Sequence, residues 1–217
     1  MSNLIALHGF LGEASDWDFL EKALPYPLFD DPVLPFWDWA QQFNQKMLKL
    51  APPRTLLGYS LGGRLALHAL IDNPSQWDRA VIVSANPGIV HDQKDENWPE
   101  RFIREPWEQL MEAWNRQPLF LSGKTVKREE KHFSRKQLSR ILSEWSMTKQ
   151  ENLLPQIAAL PLPILWVSGE NDQKYRRIAN EVALSHPRSK KAVVPNAAHR
   201  VPWDNPLHFS SLLNKFW

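Results

Sequence analysis

Cysteine is absent from all 217 residues, which excludes disulfides, thiolate metal sites and a cysteine nucleophile and fits a reducing compartment. Long apolar runs are missing too. No stretch approaches membrane-spanning length, and the N-terminus passes directly into the apolar residues 4–7 with no basic region, apolar h-region or cleavage site. A cytoplasmic protein is the expectation. Neither sign of charge prevails: 26 Lys and Arg against 24 Asp and Glu leave a net charge of +2, too little to hold nucleic acid or an anionic membrane by its general field. Neither is therefore expected as a partner, and any recognition of charge has to be local. His68, His91, His132, His186 and His208 show no metal-ligand spacing, and phosphate loops and dinucleotide fingerprints do not occur, so no metal and no cofactor are expected. Glycine is scarce, 8 residues against 18 prolines, which implies many rigid turns. The abundance lies elsewhere: 43% hydrophobic residues suffice for one globular domain with a substantial core, and 11 tryptophans point to an indole-rich pocket or cap.

Short apolar runs ending in turn residues predict strands over 4–7, 55–57, 80–83, 164–167 and 192–194. Helical periodicity falls between them, over 39–49 (Trp39, Phe43, Met47), 62–71 (Leu65, Leu67, Leu70) and 175–184 (Ile178, Val182, Ala183). Such alternation predicts an α/β domain with a mostly parallel central sheet flanked by helices. Residues 90–160 break the pattern, with no convincing strand, four tryptophans (Trp98, Trp107, Trp114, Trp145) and dense charge. They are expected to form a helical cap inserted in a core made of 1–89 and 161–217, sited over the carboxyl ends of the strands where ligands of open sheets bind. Within it, residues 124–140 hold seven cations and two acids, a local charge of +5. A solvated helix face accounts for most such runs; the alternative is that one or two of these cations point inward at an anionic ligand.

Gly58-Tyr59-Ser60-Leu61-Gly62 is a G-x-S-x-G element lying between a predicted strand and a predicted helix, where a nucleophile elbow belongs. The glycines permit the tight turn that exposes the Ser60 hydroxyl, and the helix N-terminus behind it favours developing negative charge. An elbow of this kind requires an acid and then a histidine, each in a loop after a later strand. Asp172 follows the run 164–169, and His199 follows the run 192–194. Ser60, Asp172 and His199 are thus the expected catalytic residues, and the backbone N–H groups of Phe10, after the first strand, and Leu61 are the expected oxyanion donors. His8 reads as a structural hydrogen-bonding residue.

These elements resemble the α/β-hydrolase superfamily across the whole chain, which implies the α/β-hydrolase fold. The elbow with its following Gly63-Arg64 is similar to that of the 2-succinyl-6-hydroxy-2,4-cyclohexadiene-1-carboxylate synthase family, lyases that eliminate pyruvate in menaquinone biosynthesis. Further likeness runs through His8-Gly9-Phe10-Leu11-Gly12, Arg101-Phe102 with Glu105-Pro106, Trp114 with Gln117-Pro118-Leu119-Phe120, Gly169-Glu170 with Asp172 to Tyr175, and His199 with Asn205-Pro206. The chain departs from the family in beginning at what is normally the third strand, and in carrying Asp30-Asp31-Pro32-Val33-Leu34-Pro35 where relatives have an L-P-G-H-G-like loop. It also holds no arginine between Gly88 and Trp98, where the family places a substrate-binding one and Lys94 is the only cation. A second family arginine, in the cap, corresponds to Arg128 or Arg135.

The resemblance implies a small anionic substrate, with Ser60, His199 and Asp172 relaying a proton and no acyl-enzyme. Arg64, one helical turn beyond Ser60, suits a bidentate carboxylate contact. Tyr59 and Trp114 would line the site, and Arg128 would add a cap cation. The competing expectation is an esterase or thioesterase acting through an acyl-Ser60 intermediate, as in pimeloyl-carrier-protein methyl esterases. A binding module without catalysis is the third, disfavoured by the presence of all three triad residues. A monomer or weak oligomer is expected.

Overall fold

The computed structural model describes residues 3–89 and 97–217; Lys94 and His91 lie outside the described residues. Six strands, β1 (Asn3–Leu7), β2 (Ala23–Tyr26), β3 (Arg54–Tyr59), β4 (Arg79–Val83), β5 (Ile164–Gly169) and β6 (Lys190–Val194), form one sheet in the order β2-β1-β3-β4-β5-β6. Every neighbouring pair is parallel. The helices are α1 (Phe36–Met47), α2 (Leu61–Asp72), α3 (Trp98–Arg104), α4 (Trp107–Asn115), α5 (Arg135–Glu144), α6 (Leu154–Ala158), α7 (Gln173–Glu181), α8 (Val201–Asp204) and α9 (Pro206–Phe216).

The strands are apolar on both faces because both faces are covered. Ile5, Leu7, Leu56, Ile82 and Trp166 pack against α1 and α2. Their alternates Leu4, Ala6, Leu57, Val81, Val83, Leu165 and Val167 pack against Trp17 and, from α9, Phe209 and Leu213. The one strand that sequence periodicity does not predict is β2. It is only four residues long and contains Pro25, which is tolerated because β2 is an edge strand, paired with β1 alone.

Strand order sets the position of the site. β1 has β2 on one side and β3 on the other, with the rest of the sheet continuing beyond β3. The crevice between the carboxyl ends of β1 and β3 is thus the topological switch point, where open α/β sheets bind ligands. The register pairs Leu7 with Gly58, which brings the turn after β1 alongside Ser60.

Between β4 and β5, the described residues form α3 to α6 and no strand. Residues 98–142 build a third apolar cluster, with Phe102, Leu110 and Leu138 at its centre and Trp98, Trp107 and Trp114 around it; Phe10 and Leu11 from the turn after β1 complete it. Further along, Ile141, Trp145, Leu153 and Ile157 join the main core, and Trp145 Nε1 donates to the carbonyl of Leu34 at 2.7 Å. The basic run 124–140 is not one helix: a short 3-10 turn covers Glu130–His132 before α5 begins. Its lysines, at 124, 127, 131 and 136, are exposed. Its arginines bond inward, Arg128 to Asp16, Arg135 to the carbonyls of Phe102 and Glu105, and Arg140 to the carbonyl of Val33. Among the described residues no helix is long and apolar enough to cross a membrane.

Candidate active site

Ser60 stands between β3 and α2 with φ 53° and ψ −115°, a left-handed conformation that costs a non-glycine residue about 1–3 kcal/mol and persists only where its surroundings enforce it. The enforcement is local. Ser60 N–H donates to Val83 O at 2.9 Å, and Ser60 O accepts from Arg64 N–H at 3.0 Å. Glycine at 62 is obligatory, since a Cβ there would lie 2.4 Å from the carbonyl oxygen of His8. That close approach seats the start of α2 against the end of β1. Leu61, the first residue of α2, has an N–H with no carbonyl to reach within its own helix. Next to it the turn Gly9 to Gly12 closes with Gly12 N–H donating to Gly9 O at 3.0 Å and Leu11 at φ 57°. Phe10 occupies that turn and lines the same cavity as Ser60, and Leu61 follows Ser60 directly in the chain.

Two further loops meet Ser60 from β5 and β6. Asp172, buried at the N-terminus of α7, accepts from Tyr175 N–H through Oδ1 at 3.1 Å. Its Oδ2 lies 2.9 Å from His199 Nδ1. An ionised carboxylate only accepts, which fixes the histidine proton on Nδ1 and turns the Nε2 lone pair to the Ser60 hydroxyl, 3.0 Å away. The loops are tied to each other: Asn171 N–H donates to Ala197 O, Asn196 N–H to Glu170 Oε2, and Ala198 N–H to Asp204 Oδ2. The imidazole sits among three aromatic rings, Tyr175 at 4.4 Å, Tyr59 at 5.6 Å and Phe120 at 5.7 Å between centroids. Burial raises the pKa of the Tyr59 and Tyr175 phenols above the ordinary tyrosine value, so both stay neutral.

Over Ser60 lies a cavity of about 50 Å³ lined by Phe10, Tyr59, Trp114, Phe120, Arg128 and Arg200 among others. Of the two candidate cap cations, Arg128 reaches this cavity, paired with Asp16 at 2.7 Å. Arg135 instead holds the carbonyls at the end of α3. Arg64 is not part of the cavity lining. Its guanidinium lies over the Phe36 ring and donates to Gln150 Oε1 and to the carbonyl of Ser146. Burial lowers its pKa to about 10. His8 donates through Nδ1 to the carbonyl of Gly9 at 2.9 Å, and burial lowers its pKa; it is a structural residue of the turn.

The sequence places Tyr175 within the family likeness but assigns no site role to it or to Arg200, although both adjoin a triad residue. The signal available for Arg200 is its place directly after His199, in a loop that the elbow already marks as catalytic.

The pattern of the alpha/beta hydrolase family matches residues 4–209. The chain is 30% identical over 236 residues to the 2-succinyl-6-hydroxy-2,4-cyclohexadiene-1-carboxylate synthase of Enterobacter sp. (strain 638), covering 97% of this chain and 89% of that protein. It is 28% identical over 239 residues to the putative synthase of the same name from Haemophilus influenzae, covering 97% and 95%. In structure it is similar to MenH from S. aureus, with TM-score 0.82 and 21% identity over 99% of this chain and 92% of that one. An esterase from Exiguobacterium antarcticum shares the fold at TM-score 0.76 and 17% identity, over 100% and 91%. With a serine elbow in the switch-point crevice and near-complete coverage of these relatives, the chain belongs to the alpha/beta hydrolase family, as an enzyme of its 2-succinyl-6-hydroxy-2,4-cyclohexadiene-1-carboxylate synthase branch.

Proposed function

We propose that this enzyme is a lyase that eliminates pyruvate from a polycarboxylate cyclohexene intermediate of menaquinone biosynthesis. The observation that carries the reading is the likeness to the Enterobacter synthase along 97% of the chain. The unbroken hydrogen-bond series from Asp172 through His199 to Ser60 supplies a base suited to the chemistry. Ser60 Oγ takes a proton from a ring carbon as its own proton passes to His199 Nε2, and Asp172 stabilises the imidazolium that results. The C–H electron pair enters the ring π system, the C–O bond to the enolpyruvyl group breaks, and its electron pair leaves on oxygen. The proton on His199 balances the one that enolpyruvate takes up in becoming pyruvate, and no acyl-enzyme forms.

The N–H groups of Phe10 and Leu61 stabilise negative charge developing on a substrate oxygen. Trp114 and Tyr59 form the walls and Arg128 binds a carboxylate from the cap side; Arg64, outside the lining of the cavity, reaches a second carboxylate only by releasing Gln150. Residues 90–160 act as a cap on a core of 1–89 and 161–217; the apolar cluster centred on Phe102, Leu110 and Leu138 supports the division for α3 to α5, while Ile141, Trp145, Leu153 and Ile157 anchor the end of the segment in the main core.

The test offers the purified protein the menaquinone-pathway intermediate and, separately, a panel of acyl esters. Loss of the intermediate in the ultraviolet with one pyruvate released per turnover is the expected result. Ester turnover at ordinary enzyme rates, with rapid stoichiometric labelling of Ser60 by a fluorophosphonate, would instead establish an acyl-enzyme hydrolase.

A further inference from the structure

Arg200 is nine-tenths buried and lines the cavity over Ser60. Its guanidinium is held on three sides by neutral groups. Nη1 donates to the carbonyl of Lys124 at 2.9 Å, Nη2 donates to Asn115 Oδ1 at 2.6 Å, and the Phe120 ring covers one face at 3.9 Å. Among the described residues no carboxylate comes within 4 Å of it. The carboxylate whose charge acts on it, Asp204, is engaged elsewhere, Oδ1 accepting from Lys124 N–H and Oδ2 from Ala198 N–H. This sets Arg200 apart from Arg128 in the same cavity, which is neutralised by Asp16 and Glu13.

Burying a charge without a counter-ion is costly, and here burial lowers the arginine's pKa from its ordinary value. A fold that accepts this cost keeps a site ready for an anion. Two of the five guanidinium N–H groups are used, and three remain for a planar acceptor. The same Phe120 ring meets the His199 imidazole edge-on at 5.7 Å between centroids and lies under the Arg200 guanidinium. The cation is thereby fixed beside the catalytic histidine, in the cavity that the Ser60 hydroxyl enters.

We propose that Arg200 is a substrate-binding residue that receives a carboxylate of the substrate in the cavity over Ser60, pairing with it through its free N–H groups. That the anion is a carboxylate rests on the lyase reading above. Its binding energy orients the ring carbon toward Ser60 Oγ, and the desolvated pair forms without displacing any protein carboxylate.

The probe is 2-succinylbenzoate, a stable aromatic dicarboxylate, together with its two monomethyl esters. Calorimetric titration is run on the full-length wild type, Arg200→Met and Arg200→Lys, each first checked for an unchanged thermal transition and circular dichroism. The diacid is expected to bind Arg200→Met at least tenfold more weakly than wild type, and Arg200→Lys to recover part of the loss because a point charge does not reproduce the fork. For the ester that blocks the contacted carboxylate, wild type and Arg200→Met should bind alike. If Arg200→Met fails to fold, the comparison between wild type and Arg200→Lys with the three ligands carries the same coupling. Equal affinities across the variants, an equal loss for diacid and both esters, or no binding of the diacid by wild type would overturn the proposal. Failure of the lyase reading is separate: it is a wild type that releases no pyruvate from the pathway intermediate, whatever Arg200 does to dicarboxylate affinity.

Discussion

Arg128 donates to Asp16 at 2.7 Å, joining the segment between β4 and β5 to the turn after β1, and both side chains line the cavity over Ser60. An anion entering that cavity competes with Asp16 for the same guanidinium. Asp16 also accepts from Glu13 N–H at 3.0 Å, so it stays in place when Arg128 turns to a ligand, and its charge then opposes the ligand's.

Asp16→Asn is accordingly expected to lower KM for a polycarboxylate substrate by roughly threefold to tenfold, since it removes a like charge at short range while keeping the acceptor for Glu13. Arg128→Ala should raise KM by about tenfold or more. Steady-state kinetics at two salt concentrations measures both, and the Asp16→Asn gain should shrink at the higher one.

Ser60→Ala and His199→Ala should each reduce turnover by on the order of a thousandfold or more, and the double variant should lose little beyond either single one. The ground for non-additivity is the 3.0 Å contact between Ser60 Oγ and His199 Nε2, through which one proton passes. Losses that multiply in the double variant would dissolve the relay.

The sheet and the serine elbow are legible in the sequence because each rests on short-range physics. Apolar runs such as 164–167 have to be buried on both faces, and Gly58 and Gly62 mark a turn that no Cβ fits. Distance relations are legible only where chain order implies them, as for Ser60, Asp172 and His199. Side-chain direction is not. Arg64 shares a helix face with Ser60, yet its guanidinium is drawn to Gln150 and Phe36, partners 86 and 28 positions away in the chain. Arg200 carries no periodic signal, being one residue in a loop, and its surroundings at Asn115, Phe120 and Lys124 exist only once the segment after β4 folds back over the sheet. The edge strand β2 escapes notice because four residues containing a proline show neither alternation nor a continuous apolar run.

Acid should weaken the fold through His68. This side chain is buried, stacked on Phe36 at 4.4 Å between centroids, and donates through Nδ1 to the carbonyl of Arg64 at 2.8 Å. Burial, with the nearby Arg64 charge adding to it, lowers its pKa from 6.5 to about 4. The neutral form is the folded form, so the contribution is intact above pH 6.5 and is lost as pH falls from 6.5 through about 4. Its ceiling is roughly 3 kcal/mol, from about 1.4 kcal/mol per pH unit. Urea unfolding between pH 7.5 and 4 should show stability falling in that window, and His68→Gln should flatten part of the slope, with the buried His8 accounting for more of it. An unchanged slope in His68→Gln would remove His68 as the cause.

Arg64 gives the sharpest test of the family's chemistry in this chain. Its side chain is half-buried, it has no carboxylate within 4 Å among the described residues, and it rests on an exchangeable side-chain acceptor, Gln150 Oε1. The other acceptor, the carbonyl of Ser146 at 3.1 Å, leaves the rest of the guanidinium fork free. If a substrate carboxylate replaces Gln150, Arg64→Ala should reduce kcat/KM by about 10- to 1,000-fold, chiefly through KM, as fits a charge-assisted pair shielded from water. Arg64→Lys should restore only part of it. Gln150→Leu, which removes the competing acceptor, should leave KM equal or lower while Arg64→Ala raises it, so opposite signs mark an arginine that changes partners. The exposed Lys124→Ala and Lys136→Ala should change little at physiological salt. Equal kcat/KM on the menaquinone intermediate for wild type and Arg64→Ala would confine Arg64 to bracing α2 against the 146–150 loop, and carboxylate binding would then fall to the cations that line the cavity itself.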